Sequence, residues 1–254
     1  MTKLMEGKAG LVTGAGGGIG RASALAFSRE GAKVMVSDFN EETGKETVKL
    51  IRDAGGEAEF FKCDVSDEEQ VKALVEATVS TFGKLDFAHN NAAITSPNAP
   101  IGELDTAGLD HVLKVNLYSV FYCLKYQVNA MEQNGGGAIV NTASTSGMIG
   151  NRNITPYNAS KFGVVGVTRS AAMEYGKKGI RVNAISPGMT MTPMIQDFYE
   201  KNPAYFKQLE AAIPLGSIAE PEDQANAAVW LCSNQARMIT GVILPVDGGS
   251  LAGQ

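Results

Sequence analysis

Ala9-Gly-Leu-Val-Thr13 runs directly into Gly14-Ala-Gly-Gly-Gly-Ile-Gly20, so a short apolar stretch empties into a cluster of glycines. The apolar stretch, residues 9–13, reads as a buried strand. Ala22, Leu25, Ala26 and Arg29 then recur with helical spacing over 20–30, stopping at Gly31. Residues 33–38, with Val34, Met35 and Val36, read as a second strand. Glycines at a strand-to-helix junction permit positive φ and let a ligand approach the backbone with no Cβ in the way. The helix beyond offers unpaired N–H groups and a partial positive charge, which together suit a phosphate. The spacing is T-G-x-x-x-G-x-G rather than G-x-G-x-x-G, because Ile19 stands where a third glycine would fall. Taken alone, the loop also fits a glycine-rich turn with no ligand.

The same rhythm continues outward. Residues 41–54 read as a charged helix stopped by Gly55-Gly56, 58–62 as a strand, and 67–82 as a helix with Asp67 as N-cap. Residues 85–90 read as a fourth strand. After a proline-containing loop at 96–102 come a long helix over 106–133, a strand at 138–142, a helix at 156–176 and a strand at 180–185. A less regular stretch, 189–216, precedes a helix at 221–233 and a last strand near 242–246. Strands alternating with helices of this length pair in parallel through right-handed crossovers. The expected fold is therefore α/β: a single Rossmann-like doubly wound domain over 1–254, its mostly parallel seven-stranded sheet covered by helices on both faces.

Composition narrows the function. A formal charge of −5 gains nothing from phosphate counterion release, so nucleic-acid binding is disfavoured. Cys63, Cys123 and Cys232 are odd in number and far apart, which excludes a disulfide framework and a C-x-x-C motif. His89 and His111 have no ligand-like neighbours, so no metal site is expected. The N-terminus lacks an apolar signal core, and nowhere do about 18 apolar residues run together. The expectation is a cytoplasmic chain without a membrane segment.

Two features point to chemistry. The second strand ends at Asp38, where a carboxylate can accept hydrogen bonds from both hydroxyls of an adenosine ribose. The same carboxylate would repel a 2′-phosphate by roughly 4 kcal/mol at 4 Å and an effective dielectric of 20. With no Arg or Lys inside 14–20 and Phe39 after Asp38, the loop suits NAD over NADP. A strand-end turn is the alternative role for a lone aspartate. Tyr157 and Lys161 lie four apart, one turn from each other on a helix face. A phenol that works at neutral pH must ionise about three pH units early, roughly 4 kcal/mol, and one ammonium near 4 Å supplies about that much. An oxidised nicotinamide, also cationic, would add to it. Such a pair beside a nicotinamide can move the proton of an alcohol or carbonyl, although Tyr-x-x-x-Lys also occurs by chance on many helices.

Taken together, these motifs resemble the short-chain dehydrogenase/reductase family along essentially the whole chain. Thr13–Gly20 is similar to its cofactor loop, Asp64-Val65 to its adenine-contacting pair, and Asn90-Asn91-Ala92-Ala93 to its N-N-A-G signature, with Ala93 in place of the usual glycine. Asn116 and Ser144 stand at its catalytic asparagine and serine positions, and Tyr157/Lys161 at its Y-x-x-x-K pair. Pro187-Gly188-Met189-Thr190-Met191-Thr192 matches P-G-x-x-x-T, and Asp247-Gly248-Gly249 matches the D-G-G ending. The resemblance implies an NAD-dependent oxidoreductase that interconverts a secondary alcohol and a ketone. Tyr157 would be the acid/base, Lys161 would lower its pKa and bind the nicotinamide ribose, Ser144 would bind the substrate oxygen, and Asn116 would help hold a water-mediated proton path. Gly14, Gly18, Ile19, Gly20, Asp38, Asp64, Val65, Asn91, Tyr157, Lys161, Pro187, Gly188, Thr190 and Thr192 would bind the cofactor.

Met189, Met191, Met194, Ile195, Phe198, Tyr199, Tyr205 and Phe206 suit an apolar lid, or equally the packing of a helix–loop–helix insert on the core. The resemblance implies that the substrate-loop insert 189–216 closes over substrate, with 145–155 and 94–102 lining the same cleft. That suits an apolar cyclic or steroid-like alcohol. A 3-oxoacyl thioester reductase and a non-catalytic NAD-sensing regulator are the alternatives. The resemblance further implies a homotetramer, built on the helices at 106–133 and 156–176. His89, just before the N-N-A motif, is expected to be a packed strand-end residue.

Overall fold

The apolar runs pair edge to edge, all in one direction. The computed structural model describes residues 3–253, and for Met194, Asp197, Phe198 and Tyr199 the backbone alone. The strands are β1 (Ala9–Thr13), β2 (Lys33–Asp38), β3 (Ala58–Lys62), β4 (Phe87–Asn90), β5 (Gly137–Thr142), β6 (Ile180–Pro187) and β7 (Ile243–Val246). They form one seven-stranded sheet in the order β3-β2-β1-β4-β5-β6-β7, with every pairing parallel. Burial on both faces explains why β1 is apolar throughout rather than alternating.

Three helices cover each face. On one, Val71 and Leu74 of α3 (Glu68–Phe82), Leu124 of α5 (Ser119–Gln133) and Val164 of α6 (Thr155–Tyr175) share a core with Leu11 and Ile139. On the other, Phe27 of α1 (Gly18–Arg29), Ile51 of α2 (Glu41–Asp53) and Val229 of α9 (Pro221–Cys232) pack on Val12, Val34 and Val140. Asp67 caps α3, accepting from the N–H groups of Glu69 and Gln70.

Two expectations need correcting. The helix expected over 106–133 is α4 (Thr106–Leu113), a π-helical turn (Lys114–Tyr118) and α5 in succession. The stretch 189–216 contains α7 (Pro193–Lys201) and α8 (Pro203–Ala212), each opening on a proline. Proline's fixed φ suits the first helical turn, where its missing N–H costs nothing. Beneath them Phe206, Ile213 and Ile218 form a separate small core.

β1 pairs with β2 on one side and β4 on the other, so the chain leaves the sheet in opposite directions there. A crevice opens at the carboxyl ends of these strands, the place where open α/β sheets bind ligands.

Candidate active site

The glycine loop is one wall of this crevice, a cleft of about 800 Å³. Gly14 turns the chain at φ +62. Gly20 lies so close beneath it that a β-carbon there would sit 2.0 Å from the Gly14 carbonyl oxygen. No side chain caps the N-terminus of α1, and its first turn carries no acidic residue, so its N–H groups remain free for an anion. Asp38 reaches the loop from β2: Oδ2 accepts from Gly16 N–H at 2.8 Å and Oδ1 from Asn40 N–H at 2.8 Å. Arg21, on α1 behind the loop, is already engaged. It donates to the Gly16 carbonyl at 2.6 Å and pairs with Glu46 at 2.6 Å.

The second wall rises from β4, β5 and β6. Asn91 ties the end of β4 to the loop: its N–H donates to Thr13 Oγ1 at 3.0 Å and its Nδ2 to the Thr13 carbonyl at 3.1 Å. Ala93 has negative φ, so the absent glycine is no hindrance. Asp64 holds Ser66 through its N–H and hydroxyl at 2.9 and 2.7 Å, which places Val65 on the cleft wall.

Ser144, Tyr157 and Lys161 come together at this wall. Ser144 follows β5, and its hydroxyl hydrogen-bonds the Tyr157 phenol and accepts from Ser146 N–H at 3.1 Å. Lys161 is 2% exposed and donates from Nζ to the Thr142 carbonyl at 2.8 Å. Its ammonium lies 5.5 Å from the centre of the Tyr157 ring. Burial brings Lys161 down from 10.5 to about 8. The phenol differs from expectation: burial pushes Tyr157 up, the Ser144 hydrogen bond opposes that, and Lys161 has no comparable influence. The ammonium's hydrogen bond goes to a backbone carbonyl, so the acidic phenol expected from the Tyr–Lys spacing is not present in the protein alone.

Gly14, Gly18, Ile19, Asp38, Asp64, Val65 and Asn91 line the cleft, as do Pro187, Gly188, Thr190 and Thr192 at the end of β6 and beyond. Gly20 stands behind the loop rather than in the cleft. Asn116 is also set back. It is fully buried in the π-helical turn, and its amide clamps Ile94, accepting from its N–H at 2.8 Å and donating to its carbonyl at 2.9 Å. Of the expected lid, Met189 and Ile195 reach the cleft, Phe206 is buried in its own core, and Tyr205 is half exposed. The side chains of Met194, Phe198 and Tyr199 lie outside the described residues. From the neighbouring loops Ile94 and Thr95 line the cleft, whereas 145–155 folds as a short turn (Thr145–Gly147) and a link in which Asn153 accepts from Ala99 N–H.

Two contributors had no signal in the sequence. Thr142 holds Lys161 through its backbone carbonyl, a contact any residue would provide. Arg21 braces the loop from outside the glycine motif.

Comparison with known proteins agrees with this geometry. Residues 14–250 match the profile of the family described as Enoyl-(Acyl carrier protein) reductase. The chain is 44% identical over 249 residues to 2,5-dichloro-2,5-cyclohexadiene-1,4-diol dehydrogenase of Sphingobium indicum, covering 98% of each chain. It is 42% identical over 248 residues to cyclohexanol dehydrogenase of Acinetobacter sp., covering 98% of this chain and 96% of that one. A solved structure from Beutenbergia cavernae, provisionally assigned as an NAD(P)-dependent gluconate 5-dehydrogenase and holding NADP at low occupancy, superposes with a TM-score of 0.92. It is 36% identical, and the match covers 99% of this chain and 100% of that one.

Proposed function

The chain belongs to the short-chain dehydrogenase/reductase family, and from that premise we propose that it interconverts a ring-borne secondary alcohol and its ketone, using NAD and with Tyr157 as acid/base. The observation that carries the reading is one cleft with an uncapped helix N-terminus and a glycine loop on one wall and Ser144, Tyr157 and Lys161 on the other.

The residues fit a nicotinamide dinucleotide. The α1 N-terminus offers donors for a pyrophosphate. Asp38 uses one lone pair of each oxygen on the backbone, leaving others for ribose hydroxyls. Asp64 and Val65 suit an adenine edge, and Asn91, Pro187, Gly188, Thr190 and Thr192 the remainder of the nucleotide. A bound dinucleotide would supply the hydride acceptor for an alcohol or the hydride donor for a ketone, and in its oxidised form a positive charge. Ser144 donates a hydrogen bond to the substrate oxygen and steadies its developing negative charge. Tyr157 takes the hydroxyl proton as hydride leaves and gives it back in the reverse direction. Lys161, at about 8, remains mostly an ammonium at neutral pH, and together with the positive charge of a bound oxidised dinucleotide it would favour the phenolate that burial alone disfavours. Asn116, by clamping Ile94, sets the shape of the wall beside them.

NAD is favoured because Asp38 stands where a 2′-phosphate would go and Arg21 is neutralised by Glu46. The cyclic substrate is supported by relatives that act on cyclohexanol and a cyclohexadiene diol, and by the Met189, Ile195 and Ile94 lining. The family profile's description keeps an acyl thioester reductase as the second reading. Assembly as a homotetramer belongs to the same proposal, supported by Tyr118, Phe121 and Phe162, which stand exposed on and beside α5 and α6.

The test is initial rates at the reduced-nicotinamide absorbance, across cyclic secondary alcohols and 3-oxoacyl thioesters with both dinucleotides. Cyclic alcohols with NAD should give the highest kcat/KM, and a preference for NADP or for thioesters would reverse that part of the assignment. Tyr157→Phe should lower kcat by about 10²–10⁴-fold. Unchanged turnover would end the acid/base role.

A further inference from the structure

His89 is a residue for which the proposed chemistry has no use. It sits on β4 at the switch point, registered with Val12 of β1 and Val140 of β5, and is fully buried. Its Nε2 lies 2.9 Å from Thr142 Oγ1, while its Nδ1 has no hydrogen-bond partner. The Phe27 ring, its centroid 6.5 Å from that of the imidazole, lies among the apolar groups around it. Burial lowers its pKa to about 3, so the ring is neutral and carries one N–H.

The neighbours decide where that proton sits. Asn91 Nδ2 donates to the carbonyls of Thr13 and Gly14 at 3.1 and 3.4 Å, so the amide cannot be flipped without setting its oxygen against two carbonyls. Asn91 Oδ1 therefore faces Thr142 and accepts its hydroxyl proton at 3.3 Å. With that proton committed, Thr142 Oγ1 can only accept from His89, so Nε2 is the protonated nitrogen and Nδ1 is left bare. A buried nitrogen without a partner costs stability that an apolar side chain of the same bulk would not. Packing alone thus gives no reason for a histidine here.

We propose that His89 is a positioning residue for the dinucleotide loop: through Thr142 and Asn91 it fixes the Gly14 carbonyl where the loop turns. The same Thr142 supplies the carbonyl that holds Lys161 Nζ, so one hydrogen-bond chain joins the loop to the lysine. This rests on reading the cleft as a dinucleotide site.

Three variants test it, with NADH binding followed by fluorescence titration and unfolding by heat. His89→Leu and Thr142→Val should each weaken NADH by about 5–10-fold, the loss of one hydrogen bond's worth of ordering. The double variant should be no worse than the poorer single, because both cut one chain. His89→Gln, which keeps an N–H donor, should recover most of the affinity, and His89→Leu without ligand should unfold no earlier than the parent. Nitrogen-15 NMR of the imidazole should show the Nε2–H tautomer, a reading independent of any ligand. Affinity within twofold of the parent in His89→Leu, additive losses in the double variant, or an Nδ1–H tautomer would overturn the inference. Should His89→Leu not fold, Thr142→Val and His89→Gln still decide it. If the unaltered protein binds no dinucleotide, the cleft reading fails and this inference with it. Binding that is indifferent to His89 removes this inference alone.

Discussion

Lys161 is a buried ammonium, and burial leaves a signature in stability. Its pKa falls from 10.5 to about 8 in the folded chain. Below pH 8 both folded and unfolded chains carry the proton, and the folded one bears the full cost of burying it, roughly 3 kcal/mol. Between pH 8 and 10.5 the folded chain sheds the proton while the unfolded chain keeps it, so this contribution to stability rises with pH. Urea unfolding should therefore show the parent gaining roughly 2 kcal/mol on Lys161→Met between pH 7.5 and 9.5. A constant difference would mean that the lysine titrates normally. The Tyr157–Lys161 pair was legible because its spacing carries a mechanism, whereas Ser144 entered through family resemblance. Asn116 was found through family resemblance alone, since a buried amide that clamps Ile94 has no marker in composition or periodicity. Thr142 was not legible at all, because a backbone carbonyl has no residue code.

Among the elements, the inner strands could be read because they are buried on both faces, and α3 because Asp67 is a capping residue ahead of an apolar stripe. The π-helical turn at Lys114–Tyr118 was hidden, because one widened turn leaves hydrophobic spacing almost unchanged. α7 and α8 were hidden because Ile195, Phe206 and Leu209 pack into a separate small core rather than on a face of the sheet. The junction of β1 and α1 is the most exacting element. A β-carbon on Gly20 would press on the Gly14 carbonyl at 2.0 Å, with Asn91 Nδ2 at 2.7 Å behind it, and neither the backbone nor the bonded amide can retreat freely. Gly20→Ala should cost about 1–3 kcal/mol of stability by overpacking. It should also weaken NADH binding, as read by thermal unfolding with and without the ligand. A variant with parental melting temperature and parental ligand shift would show that the loop tolerates more movement than this contact allows.

For the whole molecule, the sheet order brings the glycine loop, Asp38, Ser144, Tyr157 and Lys161 to one cleft at the carboxyl ends of the strands. Three exposed aromatics lie away from that cleft. Phe121 is 56% exposed and Phe162 48%, on α5 and α6, with Tyr118 at 44% in the turn that leads into α5. Aromatic groups left in water on adjoining elements favour burial against another surface, and a second copy presenting the same face satisfies that through two-fold symmetry. Four copies result if a second, independent face also pairs. Light scattering on the unaltered protein should give a mass of four chains. Phe121→Arg with Phe162→Arg should give a smaller species, because each subunit would bring unpaired charge into the shared face. Since the residues proposed to hold the dinucleotide and carry the chemistry line one cleft of one chain, that species should still bind NADH, with any loss of turnover traceable to loosening of α5 and α6 beneath Lys161. A monomer mass for the unaltered protein would remove the proposed assembly while leaving the proposed chemistry intact.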